Sequence, residues 1–324
     1  MNRLRSIEIC AGAGGQALGL EQAGFSHEAL VEIDHHACDT LRVNRPNWNV
    51  LEMDVRDFHA NDFRGIDLLA GGVPCPPFSH AGKQLGDKDD RDLFPEMIRL
   101  AQECLPKAVM IENVRGLLDP EFDEYREYIS EQMSQLHGVR YHTEWKLFNA
   151  CDFGVPQLRP RVIFVAIRED FSESFEWPRP HLVRSHTIGE VLYREMAKSG
   201  WSGVEEWRMQ AKDIAPTLVG GSKKHGGPDL GPTRSKKAWA GLGVDGHGLA
   251  DEPPGPDFIG MPRLTVKMAA LLQGFPDDWY FCGRKTPAYR QVGNAFPPPV
   301  ARAVGEAIAG CINVGVEDKE VMFG

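Results

Sequence analysis

The sequence contains no Cys-x-x-Cys pair, and its seven cysteines (10, 38, 75, 104, 151, 282 and 311) are scattered and odd in number. That spacing argues against a zinc site or a disulfide framework and for a reducing setting, so no metal is expected and the cytoplasm is the expected location. No apolar run approaches the ~18 residues of a membrane span, and no contact with a membrane is expected. The start, "MNRLRSIEIC", has no hydrophobic stretch of signal-peptide length. Internal repeats and low-complexity tails are missing as well. Positive charge is also in deficit: 36 Lys and Arg face 46 Asp and Glu, a net of −10. Such a chain has no overall attraction for nucleic acid.

The distribution of charge says more than its sum. Between residues 208 and 240 stand Arg208, Lys212, Lys223, Lys224, Arg234, Lys236 and Lys237 against Asp213 and Asp229, seven minus two or +5. The rest of the chain then carries −10 − 5 = −15. A solvated polar loop explains such a stretch as well as a nucleic-acid surface does.

With 324 residues the chain can form one large domain or two modest ones. "RSIEIC" reads as a strand that stops at "AGAGG". "GQALGLEQAG" has helical spacing and a stop at Gly24. "EALVEID", "IDLLAGG", "KAVMIENV" and "RVIFVAIR" read as further strands. "HHACDTLRVN", "DLFPEMIRLAQEC" and "YREYISEQMSQLHG" read as helices. This alternation predicts a parallel, doubly wound α/β sheet. It ends near residue 170, where Gly and Pro become frequent and only "TIGEVLYREMAKSG" is clearly helix-like. "TVKMAALLQGF" and "PVARAVGEAIAGCI" read as later helices. The expected division is a catalytic domain of residues 1–170 and 288–324, and a smaller irregular domain of residues 171–287.

Open α/β sheets bind ligands beyond the carboxyl ends of their strands. Here the first strand ends in "CAGAGG", where Gly12, Gly14 and Gly15 let a ligand approach the backbone. Glu32 ends the second strand, where a carboxylate can accept both hydroxyls of a ribose. The turn lacks G-x-G-x-x-G spacing, which lowers the dinucleotide reading. Farther on, "GGVPCPPFSH" sets Cys75 among Pro74, Pro76 and Pro77. Those prolines keep it out of a helix or a central strand, so a strand ends in a stiff turn that presents one thiol.

The order of motifs is more specific than any one of them. After "GGVPCPPFSHAG" come "ENV" at 112–114, "QLRPR" at 157–161, "LLQGFPDDW" at 271–279 and "QVGNAFPPPVA" at 291–301. Together with "AGAGGQALGLEQAGF", this set closely resembles the DNA (cytosine-5) methyltransferase family from residue 7 to about 305. Residues 170–262 lie outside the motifs, where that family keeps its variable target-recognition region.

The resemblance implies a Rossmann-like methyltransferase sheet with an irregular target-recognition domain. It implies S-adenosylmethionine as cofactor, S-adenosylhomocysteine as product and double-stranded DNA as partner. Cys75 is the implied nucleophile, adding to carbon 6 of cytosine so that carbon 5 becomes nucleophilic. Glu112 is implied to protonate or hydrogen-bond ring nitrogen 3 and the amino group. Arg161 would hold the cytosine carbonyl, and Arg159 would brace Glu112 or a phosphate. The target base must leave the duplex, and "SHAGKQLGDKDDRD" matches the family's catalytic loop, with Ser79 and Lys83 as phosphate contacts. Carried over residue by residue, the cofactor set is Cys10, Gly12, Ala13, Gly14, Gly15, Glu32, Ile33, Asp54, Val55, Leu93, Asn294 and Ala295. The final helix must then return to the first domain. Lys223, Lys224, His225, Arg234 and Thr217 of "APTLVGG" are the candidate DNA contacts of the recognition region. A monomer with a cognate restriction endonuclease is expected.

The chain departs from the family pattern in three motifs. Cys10 stands where an aromatic is usual, Pro76 where Gln is usual, and Val266, Lys267 and Met268 replace Pro-Arg-Glu in a motif that supports the recognition region. A tRNA cytosine methyltransferase and a catalytically silent DNA-binding regulator on the same fold are the alternative readings.

Overall fold

The computed structural model describes residues 3–74, 92–181, 186–220 and 228–323. Its first half alternates β1 (Leu4–Ile9), α1 (Gly15–Gln22), β2 (Phe25–Glu32), α2 (His35–Asn44), β3 (Val50–Glu52), β4 (Leu68–Gly71), α3 (Phe94–Cys104), β5 (Ala108–Val114) and α4 (Asp123–Ser134). There follow β6 (Gln135–Leu136), β7 (Val139–Asn149), β8 (Pro160–Arg168) and the single turn α5 (Glu169–Ser172). The remaining helices are α6 (Ile188–Ala197), α7 (Val204–Gln210), α8 (Thr233–Gly241), α9 (Val266–Leu272), α10 (Lys285–Asn294) and α11 (Pro298–Phe323).

The eight strands form one sheet in the order β3-β2-β1-β4-β5-β8-β7-β6. The chain winds outward one way from β1 to β3 and then restarts on the other side at β4. The point of reversal lies between β1 and β4, and a doubly wound sheet opens its ligand crevice there. The central strands are buried on both faces, as the apolar runs "IEI" and "AVMI" require. One face carries α3, whose Phe94, Met97, Ile98, Ala101 and Cys104 join the first hydrophobic cluster. The other carries α11, whose Val300, Ala301, Val304, Ile308 and Ile312 cover Leu68, Ala70 and Met110. There α11 lies on α1 at small residues: a Cβ on Gly19 would come 2.5 Å from Ala301 Cβ, and one on Gly305 would come 2.9 Å from Leu20 Cδ2. The C-terminal helix thus returns to the first, as the sequence required.

The structure departs from the sequence reading in three places. The sheet is mixed: β8 runs antiparallel to β5, and β7 antiparallel to β8. The strand β7 was unread because its exposed polar positions interrupt the apolar pattern, leaving only Tyr141 and Phe148 buried. Helix α4 stops at Ser134 instead of Gly138, because His137 (φ 47°) and Gly138 (φ 85°) form a two-residue hairpin turn between β6 and β7. The Gly- and Pro-rich stretch also holds more helix than expected, in α7 and α8. Both are short, and α8 buries one large side chain, Trp239. With Trp201, Trp207 and Trp279 it anchors a second hydrophobic cluster that extends from Ile188 to Ala295 and takes in Ala13 and Leu18.

The atypical "TVKM" turn is also accounted for. Thr265 caps α9 by accepting from Met268 N at 3.2 Å. Lys267 bridges Glu195 of α6 (3.2 Å) and Asp277 (3.0 Å), tying the helix to both neighbours.

Candidate active site

A cavity of about 240 Å³ opens at the carboxyl ends of β1, β2 and β4. Its wall is built from Glu8 and the turn Cys10–Ala13, from Gly15 and Gln16 at the head of α1, and from Glu32 and Asp34 after β2. Gly72 and Glu112 close one end, and Arg290, Gln291, Asn294, Ala295 and Phe296 close the side contributed by the C-terminal segment.

The glycines of the turn do different jobs. Gly12 has φ +53°, and nothing lies within 4 Å of where its Cβ would be, so its backbone faces open space. Gly14, at φ +84°, starts α1 with its would-be Cβ 2.7 Å from Leu41 and 3.1 Å from Trp279, which is packing rather than ligand approach. A Cβ on Gly15 would lie 2.2 Å from the Phe296 carbonyl oxygen, a backbone atom that cannot swing away. Gly15→Ala is therefore expected to lower Tm by ~3–10 °C without any ligand, from an overpacking cost of ~1–3 kcal/mol. Gly12→Ala faces only its left-handed backbone, ~1–2 kcal/mol, and is expected to melt above Gly15→Ala. Equal Tm values in thermal melts would refute this division.

Glu32 ties the two strand ends together. One carboxylate oxygen accepts from Gly12 N (2.7 Å), and the other from Ile33 N and Asp34 N (both 2.8 Å). A carboxylate has about four acceptor positions, so one remains for a ribose hydroxyl rather than the two expected. Asp34 also caps α2 by accepting from Ala37 N at 3.1 Å.

Of the residues read as a cofactor set, Cys10, Gly12, Ala13, Gly15, Glu32, Asn294 and Ala295 line this cavity. The other expected members lie off it. Ile33 is 66% exposed, Asp54 pairs with Arg56 at 2.9 Å, and Val55 is buried in the first cluster. Leu93 is half-buried, its N–H donating to Pro74 O at 3.4 Å. Burial pushes the Cys10 thiol up to about 12, helped by Glu32 and Asp54, so it is a neutral, unreactive group there.

Sequence reasoning missed Glu8 and Gln16 at the cavity floor, because one acid on an apolar strand looks like any strand polar residue. Glu8 is 1% exposed, and burial above all pushes its carboxyl well above the usual range, with the Glu32 charge adding to it and the neighbouring Gln16 side chain and Ala17 backbone opposing. The unfolded group releases its proton near the ordinary value and the folded group only at higher pH, so this residue costs stability as pH rises between the two. Glu8→Gln removes that cost. Its Tm gain over wild type is expected to grow as pH rises above the ordinary carboxylate range. A gain independent of pH would contradict a protonated Glu8.

Glu112 is the acid at the other end. Arg161 is opposite Val114 across the β5–β8 pair, two residues from Glu112, so the two side chains share a face. Arg161 Nε meets Glu112 Oε1 at 2.7 Å, with both side chains nearly buried. Burial raises the Glu112 carboxyl above its ordinary value, and the Arg161 and Arg159 charges pull it partly back. Gly72 lies alongside: a Cβ there would be 3.3 Å from Glu112 Oε2. Asn113 Nδ2 donates to Val73 O at 2.9 Å, so β5 holds the exit of β4 just ahead of Cys75.

Residues 4–310 match the family described as C-5 cytosine-specific DNA methylase. The chain belongs to that family. It is 57% identical over 306 residues to the type II methyltransferase M.NgoMIV of Neisseria gonorrhoeae, covering 94% of this chain and 96% of that one. To M.NaeI of Lentzea aerocolonigenes, also a type II methyltransferase, it is 53% identical over 326 residues, covering 99% and 78%. A solved DNMT2 structure from Spodoptera frugiperda shares the fold, with a TM-score of 0.65 at 17% identity over 94% of this chain and 99% of that one.

Within this methylase, Arg159 departs from its expected role. It is fully buried, donating to Leu218 O (2.6 Å), Gly293 O (2.7 Å) and Ala295 O (2.9 Å). It therefore reaches no phosphate and does not bond Glu112; Arg161 is the brace. Arg161 keeps Nη1 on Pro160 O at 2.8 Å. Beside Arg159, the unread pair Gln157 and Gln273 are both fully buried, and Gln157 Nε2 donates to Gln273 Oε1 at 2.7 Å. Thr217 donates to Leu158 O, and Arg234 is exposed on α8. In the basic stretch Lys236 is committed to Asp229 at 2.7 Å, and Arg208 stacks on Tyr193. Cys75, Ser79 and Lys83, and Lys223, Lys224 and His225, lie outside the described residues. Among the described residues no cluster suited to a metal occurs, and no helix is long and apolar enough to cross a membrane.

Proposed function

We propose that the residues of this cavity and its rim carry the transfer of a methyl group to carbon 5 of a cytosine flipped out of double-stranded DNA. The observation that carries this reading is Glu112, which lines the cavity beside Gly72 of the β4 exit and is paired with the nearly buried Arg161. The open Gly12 backbone, with Glu32 keeping one acceptor position, fits a nucleoside-bearing cofactor. S-adenosylmethionine supplies an electrophilic methyl group and leaves as S-adenosylhomocysteine.

The protein's own groups handle the ring. The Cys75 thiolate forms a bond to carbon 6, and the displaced electron pair moves through the ring as Glu112 delivers a proton toward nitrogen 3. A carboxyl raised by burial keeps its proton at higher pH than an exposed one, which suits it to donate. Arg161 fixes the Glu112 oxygen, and the resemblance to the family gives it the cytosine carbonyl. Once carbon 5 carries the methyl group, a base such as water takes its proton, the electron pair of that bond re-forms the ring double bond and expels the Cys75 thiolate from carbon 6, and nitrogen 3 returns its proton to Glu112.

Residues 171–287 are assigned to target recognition, with Thr217, Lys223, Lys224, His225 and Arg234 as DNA contacts. The likeness to type II methyltransferases supports a modification enzyme acting on cytoplasmic DNA as a monomer beside a cognate restriction endonuclease. The family match to DNA methylases favours DNA over a tRNA substrate, and the intact Glu112–Arg161 pair favours catalysis over a silent regulator. Bisulfite sequencing of genomic DNA from an expressing host tests the reading. One protected sequence motif is expected; unaltered cytosine conversion throughout would overturn it.

A further inference from the structure

The segment 215–220 is stitched to the strand entrance of β8. Ala215 N donates to Pro156 O (2.9 Å), Leu158 N to Ala215 O (2.7 Å), and Leu218 N to Gln157 Oε1 (2.8 Å). Arg159 binds Leu218 O on one side and Gly293 O and Ala295 O on the other, so one buried guanidinium fixes this segment against the end of α10. Gln273 Nε2 adds a bond to Val292 O at 2.7 Å.

Two glycines meet where these parts touch. A Cβ on Gly293 would lie 2.5 Å from both Cα and N of Gly220. A Cβ on Gly220 would lie 2.1 Å from Asn294 Oδ1, 2.8 Å from Asn294 Cγ and 3.1 Å from Arg290 O. Neither glycine has a positive φ, so what they supply is space for close backbone approach, not an unusual conformation. Asn294 and Arg290 both line the cavity. Asn294 thus belongs to the cavity lining while its exposed side-chain amide lies against the Gly220 backbone.

The geometry points to Gly220 as a positioning residue for the cofactor: it lies outside the cavity but sets the placement of Asn294 within it. The backbone of the 215–220 segment, which belongs to the recognition part of the chain, thereby helps set cofactor affinity. This rests on the reading that the cavity takes S-adenosylmethionine.

The test is a double-mutant cycle on the full chain, without DNA, with S-adenosylhomocysteine binding followed by calorimetry and Tm in parallel. Gly220→Ala is expected to weaken binding by about tenfold while Tm stays close to wild type. In an Asn294→Ala background, which removes both nearest atoms, Gly220→Ala is expected to weaken binding by no more than about twofold. Wild-type affinity in Gly220→Ala, or losses that simply multiply in the double variant, would overturn the inference. Should Gly220→Ala alone fail to fold, Asn294→Ala must restore folding; a double variant that stays unfolded overturns it equally. A wild-type chain that binds no S-adenosylhomocysteine would instead remove the cofactor reading itself.

Discussion

Cys75→Ser is expected to abolish methyl transfer to DNA, a loss on the order of 10⁴-fold or more, as when a covalent nucleophile is removed from other enzymes. A serine hydroxyl is far harder to ionise than a thiol, whose free pKa is near ~8.5, so the addition to carbon 6 has no competent anion. S-adenosylhomocysteine binding should stay near normal, because the described cavity wall is made by the β1 turn, Glu32 and the 290–296 segment. DNA carrying 5-fluorocytosine should trap wild type as an adduct that survives denaturation, since fluorine cannot leave as the proton does. Cys75→Ser should form none. Methyl transfer persisting in that variant would show that the thiol is not the nucleophile.

Glu112→Gln is the second large effect. It preserves shape and a hydrogen-bonding tip but cannot release a proton, and a positioned acid contributes ~10²–10⁴-fold. The single-turnover rate is expected to fall within that range, with DNA affinity little changed. Burial raises the Glu112 carboxyl, so in wild type the acid form is lost, and the rate should fall, as pH rises through that value. Glu112→Gln should lack this descending limb. An unchanged single-turnover rate, or a limb that persists, would place the acid elsewhere.

The resemblance singled out both residues; the structure sets Glu112 in β5, an apolar strand as read, and pairs it with Arg161, while Cys75 lies outside the described residues. The sheet was legible because strands buried on both faces leave apolar runs. What the sequence hid depends on long-range placement. Arg159 and Arg161 are two residues apart, yet Arg159, just ahead of β8, enters a sealed seam, and Arg161, on β8, meets Glu112. Nothing local to "RPR" separates them; the carbonyls of Leu218, Gly293 and Ala295 do. Gly12 and Gly15 look alike in "AGAGG", and only the arrival of Phe296 tells open space from packed wall. The strand β7 was missed because polar residues on its half-exposed positions mask the period. Asp54 and Val55 fell off the cavity because Arg56 and the first cluster hold them.

The packing of α11 on α1 has a consequence for the newborn chain. Asn294, Ala295 and Phe296 finish the cavity, while Val300 to Ile312 cover a face of the sheet built from the earliest strands. A ribosome adds ~5–20 residues per second, so these last pieces follow the first strands by tens of seconds. Through that interval the nascent chain has a sheet with one bare apolar face and a cavity open on one side. Competence therefore arrives late, once residues 294–312 have cleared the exit tunnel and α11 has folded back onto α1.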